Sequence, residues 1–246
     1  MDQEAKSLAD LVVQELRTRI LDGRLRLGES LSENTVAADL GISKTPVREA
    51  LLRLKMDRLV DVLPQRGSYV FQLSAEEVGM VSELREVLEI AAAAAAMQRN
   101  RQELANRLGI IVKEMRKAHA VSDKVAYATL DGRLHQAIID LCSNTYIVDA
   151  YGPVGFRVQA LRARLSDEET LNRRSLLDHC EMLRLVEAGQ TAALQQLIRT
   201  HIRQTAQSSL EMLANNLLIE SERGPDAGAA PDAKPPARKA AAGSGR

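Results

Sequence analysis

The sequence predicts a mainly α chain in two parts: a winged helix-turn-helix domain over residues 1–73 and an all-α, six-helix antiparallel bundle over residues 74–221. Three observations predict it. Two short amphipathic patterns meet at Gly41-Ile42-Ser43, a β-prone hairpin pattern surrounds Pro64 and Gly67, and of the seven prolines only Pro153 lies between Gln65 and Gly224. Proline breaks helices, so a span nearly free of it that keeps a helical apolar period reads as helix after helix.

Taken in order, Leu8, Leu11, Val12, Leu16 and Ile20 recur at helical spacing and give a first helix ending at Asp22-Gly23. Residues 25–31 make a turn and a short strand. Ser32 caps a second helix with Val36, Ala37 and Leu40 on its apolar side, and Gly41 takes the left-handed conformation that ends it. Ser43 or Thr45 caps a third helix, with Pro46 in the first turn, where an N–H is not needed. Its buried face is Val47, Ala50, Leu51 and Leu54, which leaves Lys44, Thr45, Arg48 and Arg53 pointing outward. A helix so placed fits the DNA major groove, with its N-terminal residues at base edges. The β-prone run 59–71 folds back at Pro64-Gln65-Arg66-Gly67 into a wing, whose Arg66 suits a narrow minor groove and whose Gly67 allows close backbone approach.

Beyond Gln72 the helical period dominates. Ser74-Ala75-Glu76-Glu77 is a helix start, and six segments follow: 75–98, 102–120, 123–141, 145–165, 168–188 and 192–220. Gly152-Pro153-Val154-Gly155 should kink the fourth. The alanine run 91–96 gives a thin face that lets a neighbour pack closely. Residues 222–246, rich in Gly, Pro and Ala, bury too little to order themselves and are expected to form a disordered tail.

Composition narrows the function. Lys and Arg total 33 against 33 Asp and Glu, so overall charge does not favour nucleic acid; the stretch from Lys44 to Arg66, with six basic and three acidic residues, does so locally. Modest, salt-sensitive affinity from one domain implies that tight binding needs two copies. No apolar run approaches the length of a membrane span, no secretory signal is visible, and Cys142 and Cys180 lack CxxC spacing. The expectation is a soluble cytoplasmic protein without disulfides or a membrane partner.

Three of the four histidines fall on apolar helix faces. Asp131 and His135 are one turn apart, His179 lies in line with Leu176, Met182 and Val186, and His201 with Leu194, Leu197 and Ile198. One carboxylate and three imidazoles converging inside a bundle would bind a divalent transition metal, Zn, Ni or Mn by donor preference, with positions left for water or a ligand. Spacing alone leaves open the reading of satisfied core histidines. His119, at a polar helix end, is expected to be exposed.

The ordered pieces Ile20-Leu21-Asp22-Gly23, Leu27-Gly28-Glu29, Leu31-Ser32-Glu33, the run 43–51 and Arg66-Gly67 resemble the GntR family of bacterial winged-helix regulators. Residues 75–216 resemble the FCD domain of its FadR-like branch: Leu84-Arg85-Glu86-Val87-Leu88-Glu89, Asp131 to Leu134-His135, Ser143-Asn144, His179 and His201-Ile202 match, and six helices resemble the VanR-type subgroup. Leu134 stands where Phe is common and Asp178 where Glu is usual, which bears on pocket shape. The resemblance implies DNA contacts at Asn34, Ser43, Lys44, Thr45, Arg48, Arg66 and Gly67, and metal ligation by Asp131, His135, His179 and His201. It also implies that Arg85 pairs with an effector carboxylate; the alternative for Arg85 is a surface salt bridge to Glu89.

The function expected on these grounds is a homodimeric, ligand-responsive transcription regulator, repressing from an inverted-repeat operator and sensing a small organic acid at the metal. The alternatives are a regulator for which the metal itself is the signal and a metalloenzyme acting on a carboxylic acid. Against the enzyme, no general base stands beside the cluster in the sequence and a DNA reader would have no purpose.

Overall fold

The structure, a computed structural model, describes residues 7–165 and 169–223, with the side chains of 163–171 and 215–223 outside the description. The expected tail lies almost wholly outside the described residues. Helix α1 (Leu8–Leu21) is opened by a reciprocal cap in which Ser7 accepts from the Asp10 N–H and Asp10 accepts from the Ser7 N–H. Strand β1 (Ser30–Leu31) leads to α2 (Glu33–Leu40), which begins under the Ser32 hydroxyl and ends at Gly41 with φ 65°. Helix α3 (Lys44–Met56) follows after a turn of three residues, and β2 (Val60–Leu63) and β3 (Gly67–Val70) form the hairpin. The three strands make an antiparallel sheet in the order β1-β3-β2, with Leu63 opposite Gly67 and Leu31 opposite Ser68.

The bundle comprises α4 (Ala75–Arg99), α5 (Arg101–Ala120), α6 (Lys124–Asp140), α7 (Thr145–Leu165), α8 (Glu169–Glu187) and α9 (Thr191–Arg223). The chain stays helical through Pro153. Ala92, Ala93 and Ala96 are fully buried in the bundle core while Ala91 is exposed, so the alanine run does present a thin packing face. The matched pair Ser143-Asn144 has a local physical role. Asn100 Nδ2 donates to the Leu141 carbonyl and to Ser143 Oγ, Arg99 donates to the Cys142 carbonyl, and Asn144 Oδ1 accepts from the Tyr146 and Ile147 N–H groups to start α7. The α4–α5 corner is thereby tied to the α6–α7 corner.

The reader does not close a core of its own. Val12, Leu16, Ile20, Val47, Leu54 and Phe71 share one buried cluster with Phe156, Ala160 and Leu161 of α7, and Leu210 and Leu213 of α9 pack against it. Two cations reinforce the seam: the Arg17 guanidinium lies 5.5 Å from the Phe156 ring centre, and that of Arg157 lies 5.1 Å from the Phe71 ring centre. Arg157 also donates through Nε to the Arg58 carbonyl at 3.1 Å, just past the end of α3. Cys142 and Cys180 are free, and among the described residues no helix is long and apolar enough to cross a membrane.

Candidate functional site

The helix-turn-helix exposes all seven residues expected to meet DNA: Asn34, Ser43, Lys44, Thr45, Arg48, Arg66 and Gly67. Val47, Ala50, Leu51 and Leu54 hold α3 against α1 and α2, which fixes the direction of its polar face. Ser43 stands at the N-cap with extended backbone, yet its hydroxyl makes no capping bond and is free to donate elsewhere. The Arg48 fork grips the Glu33 carboxylate, with Nε at 3.1 Å and Nη2 at 2.9 Å. At the wing tip the backbone bends through Gln65 at φ 62° and Gly67 at φ 104°, and Tyr69 Oη donates to the Arg66 carbonyl. Only glycine takes the second of these angles without strain.

In the bundle, Asp131, His135, His179 and His201 are all buried, and one ligand atom from each falls within 4.8 Å of the others. Metal bonds of about 2.0–2.2 Å hold ligand atoms within about 4.4 Å of one another, so a small contraction completes such a site. Neighbours set the ring orientations. His135 Nδ1 is 2.7 Å from Glu89, whose other oxygen accepts from Arg85 Nε at 2.5 Å and from Tyr151 Oη at 2.9 Å. His201 Nδ1 is 3.1 Å from Asp178, and His179 Nε2 is 3.4 Å from His135 Nε2 and 3.5 Å from Asp131. A proton on the Nδ1 atoms facing Glu89 and Asp178 leaves both Nε2 lone pairs aimed inward, the arrangement that orients metal-ligating histidines.

Charge follows from this packing. Burial depresses the pKa of all three histidines, against the pull of Glu89 on His135 and with further repulsion from neighbouring imidazoles and Arg162 at His179 and His201, so the rings are held neutral. Burial alone would raise Glu89, but the Arg85 charge and His135 hold it below the usual carboxylate range. Two inward lone pairs, a third imidazole and a carboxylate form an acceptor-rich centre that calls for a cation, and these residues fit a divalent metal. What the structure places there is Arg162 of α7, whose guanidinium contacts Asp131 and lies 3.1 Å from His201 Nε2.

A cavity of about 370 Å³ opens against the Asp131 and His201 edge of this centre, and Arg162, Ser175, Gln204 and Thr205 lie on its wall. Arg85 does not line it. The Arg85–Glu89 pair exists, but it lies inside the bundle, 2% and 0% exposed, and not on the surface. His119 is half-buried, its ring centre 6.2 Å from that of Tyr127. Three participants escaped the sequence reading. Glu89 closes the quoted Arg85-to-Glu89 motif and Asp178 adjoins His179, so both stood beside a signal; Arg162, one arginine among several on its helix, had none.

Comparison with known proteins assigns the two halves separately. Residues 8–70 match the model of bacterial regulatory proteins of the gntR family, and residues 80–204, about half of the chain, match the FCD domain. The chain belongs to the GntR family, with an FCD domain as its helical half. It is 30% identical over 162 residues to the gluconate operon transcriptional repressor of Bacillus licheniformis, covering 64% of this chain and 66% of that one, a little under two thirds of the relative's length. It is 24% identical to the HTH-type transcriptional repressor RspR of Escherichia coli (strain K12), covering 82% and 88%. A crystal structure of a GntR transcriptional regulator from Rhodococcus sp. RHA1 superposes with a TM-score of 0.74 at 27% identity, over 84% of this chain and 99% of that one. These families and relatives are regulators and not enzymes, so the metalloenzyme reading falls.

Proposed function

We propose that the chain is a homodimeric, cytoplasmic repressor whose two winged helices read an inverted repeat in operator DNA, released by a small carboxylate that binds at a metal held by Asp131, His135, His179 and His201. One observation carries the reading: a buried Asp/His₃ acceptor cluster opens onto a cavity of about 370 Å³, and two of the helices that wall it, α7 and α9, also pack into the core of the DNA reader. An imidazole-rich set with one carboxylate suits Zn, Ni or Mn, and an open position on such a metal is a ready carboxylate site. The names of the relatives agree: two are repressors, and one governs an operon named for gluconate, a sugar acid.

Arg48, Lys44 and Thr45 at the start of α3 face base edges, Ser43 and Asn34 meet the phosphate backbone or an adenine, and Arg66 with Gly67 enters the neighbouring minor groove. The Arg48–Glu33 pair presets the guanidinium. Engaging both half-sites requires two recognition helices about one DNA turn apart, and a ligand shifts operator affinity only by binding one dimer arrangement better than the other. The test is a panel of carboxylic acids screened for thermal stabilisation of the metal-loaded protein, with operator release scored in a gel-shift titration for each hit. Release by an acid supports the reading. Metal-dependent operator binding that no acid alters would make the metal the signal, and absence of any preferred duplex would overturn the assignment.

A further inference from the structure

The geometry points to Arg162 as the residue that reads the ligand's carboxylate, and to α7 as the element that passes the event to the DNA reader. The inference rests on the proposed carboxylate sensing and assigns it a residue and a route.

Three arginines are near the centre, and the fold separates their roles: Arg174 lies on the cavity wall but is exposed to solvent, which leaves Arg85 and Arg162 inside the bundle. Arg85 is sealed behind His135 with its Nε on Glu89, off the cavity wall. Arg162 is on the wall, with its guanidinium on Asp131, His201 Nε2 and Thr205 Oγ1, the last at 3.4 Å. The Asp131 carboxylate and the His201 lone pair are the atoms a metal would take. A metal claiming them leaves Arg162, a largely buried cation with 11% of its side chain exposed, deprived of its counter-charge, and a guanidinium in that position binds an anion. Its planar fork matches a carboxylate, and the cavity in front offers room for one. The remaining wall includes neutral hydrogen-bonding groups on Ser175, Gln204 and Gln207, which suit hydroxyls on the rest of the ligand, beside the charged Arg174, Asp178 and Glu211. The chemical class is therefore a small hydroxylated carboxylate, bound by Arg162 and the metal at its acid end.

Arg162 shares its helix with the seam. Phe156, six residues earlier and about 9 Å along the axis, is buried in the reader's core under Arg17. Arg157 stacks on Phe71 of the reader and clamps the Arg58 carbonyl just beyond the recognition helix. A shift of α7 made when Arg162 exchanges Asp131 for a ligand carboxylate is carried by close-packed side chains to the end of α3.

The experiment uses the full-length, metal-loaded protein, with citrate, D-gluconate and L-lactate as probes and D-glucitol as the uncharged control, in calorimetric titrations. At least one acid is expected to bind wild type, with D-glucitol silent. Arg162→Gln should weaken that acid at least tenfold while metal content is retained, and Arg162→Lys, which keeps the charge but loses the fork and guards against misfolding of the first variant, should weaken it less. Arg157→Ala should bind the acid as wild type does while its operator affinity no longer changes with acid. If wild type binds an acid and both Arg162 variants bind it equally well, this inference fails and the proposed function stands. If no probe binds wild type, both fall. An Arg157→Ala protein that still releases DNA with acid refutes the route through α7.

Discussion

Glu89 shows how one buried side chain can organise a site it does not line. Its carboxylate takes Arg85 and Tyr151 on one oxygen and His135 on the other, so it neutralises a buried cation and fixes the His135 ring together. Removing one member of a buried pair leaves the other charge uncompensated. Glu89→Gln should therefore cost about 3–5 kcal/mol in urea denaturation, and metal affinity in competition with a chelator should fall by about 10–100-fold because His135 loses its orienting partner. Arg48 lies at the opposite extreme, exposed and joined to Glu33 in a pair that solvent screens. Arg48→Ala should leave the melting temperature, the dimer and the metal unchanged yet weaken operator binding by about 1–3 kcal/mol, roughly five- to 150-fold, in gel-shift titrations. Unchanged specific affinity would remove Arg48 from the interface.

At the scale of the element, α4 and α7 carry the organisation. Helix α4 is lined with alanine where it meets its neighbours, so Glu89 and Arg85, about one and two turns earlier, sit close enough to α6 and α7 for Glu89 to reach both His135 and Tyr151. Widening that contact should be costly. Ala93→Leu is expected to destabilise the protein by about 1–3 kcal/mol through overpacking, whereas Ala91→Leu, two residues away on the exposed side, should stay within about 0.5 kcal/mol of wild type. Equal effects at the two positions would show that the alanine face is not a packing constraint. Helix α7 belongs to two structures at once, with Phe156 and Ala160 in the reader's core and Arg162 at the cavity beside Asp131 and His201.

At the scale of the whole molecule, the shared cluster makes the reader's stability depend on the bundle, and three helices bring Asp131, His135, His179 and His201 to one centre. A metal bound there holds α6, α8 and α9 together and stabilises the folded chain by mass action. Exhaustive chelation should lower the melting temperature by about 5–10 °C, as expected for a site kept near a hundredfold above its dissociation constant in a chain of this size. His179→Ala combined with His201→Ala should leave the protein depleted of metal in elemental analysis and insensitive to the chelator. Full metal content in that variant would show that these residues are not ligands.

By itself the sequence determined what depends on local chemistry. Ser32 and Gly41 bound α2 because a hydroxyl cap and a left-handed glycine act over a few residues, and the ends of all six bundle helices were legible to within a residue or so on either side, the last excepted, because proline is scarce and the apolar period is regular. Asp131 and His135 could be paired because one helical turn separates them. Only the tertiary structure decided which distant groups meet. It put Arg85 behind the centre and Arg162 in front of it, gave Asp178 to His201 and not to its neighbour His179, and joined Phe156 to a core begun 144 residues earlier at Val12. The physical reason is that helical periodicity specifies a face but not its partner: an arginine on a stripe reads the same whether the helix that packs against it brings a carboxylate, an imidazole or water.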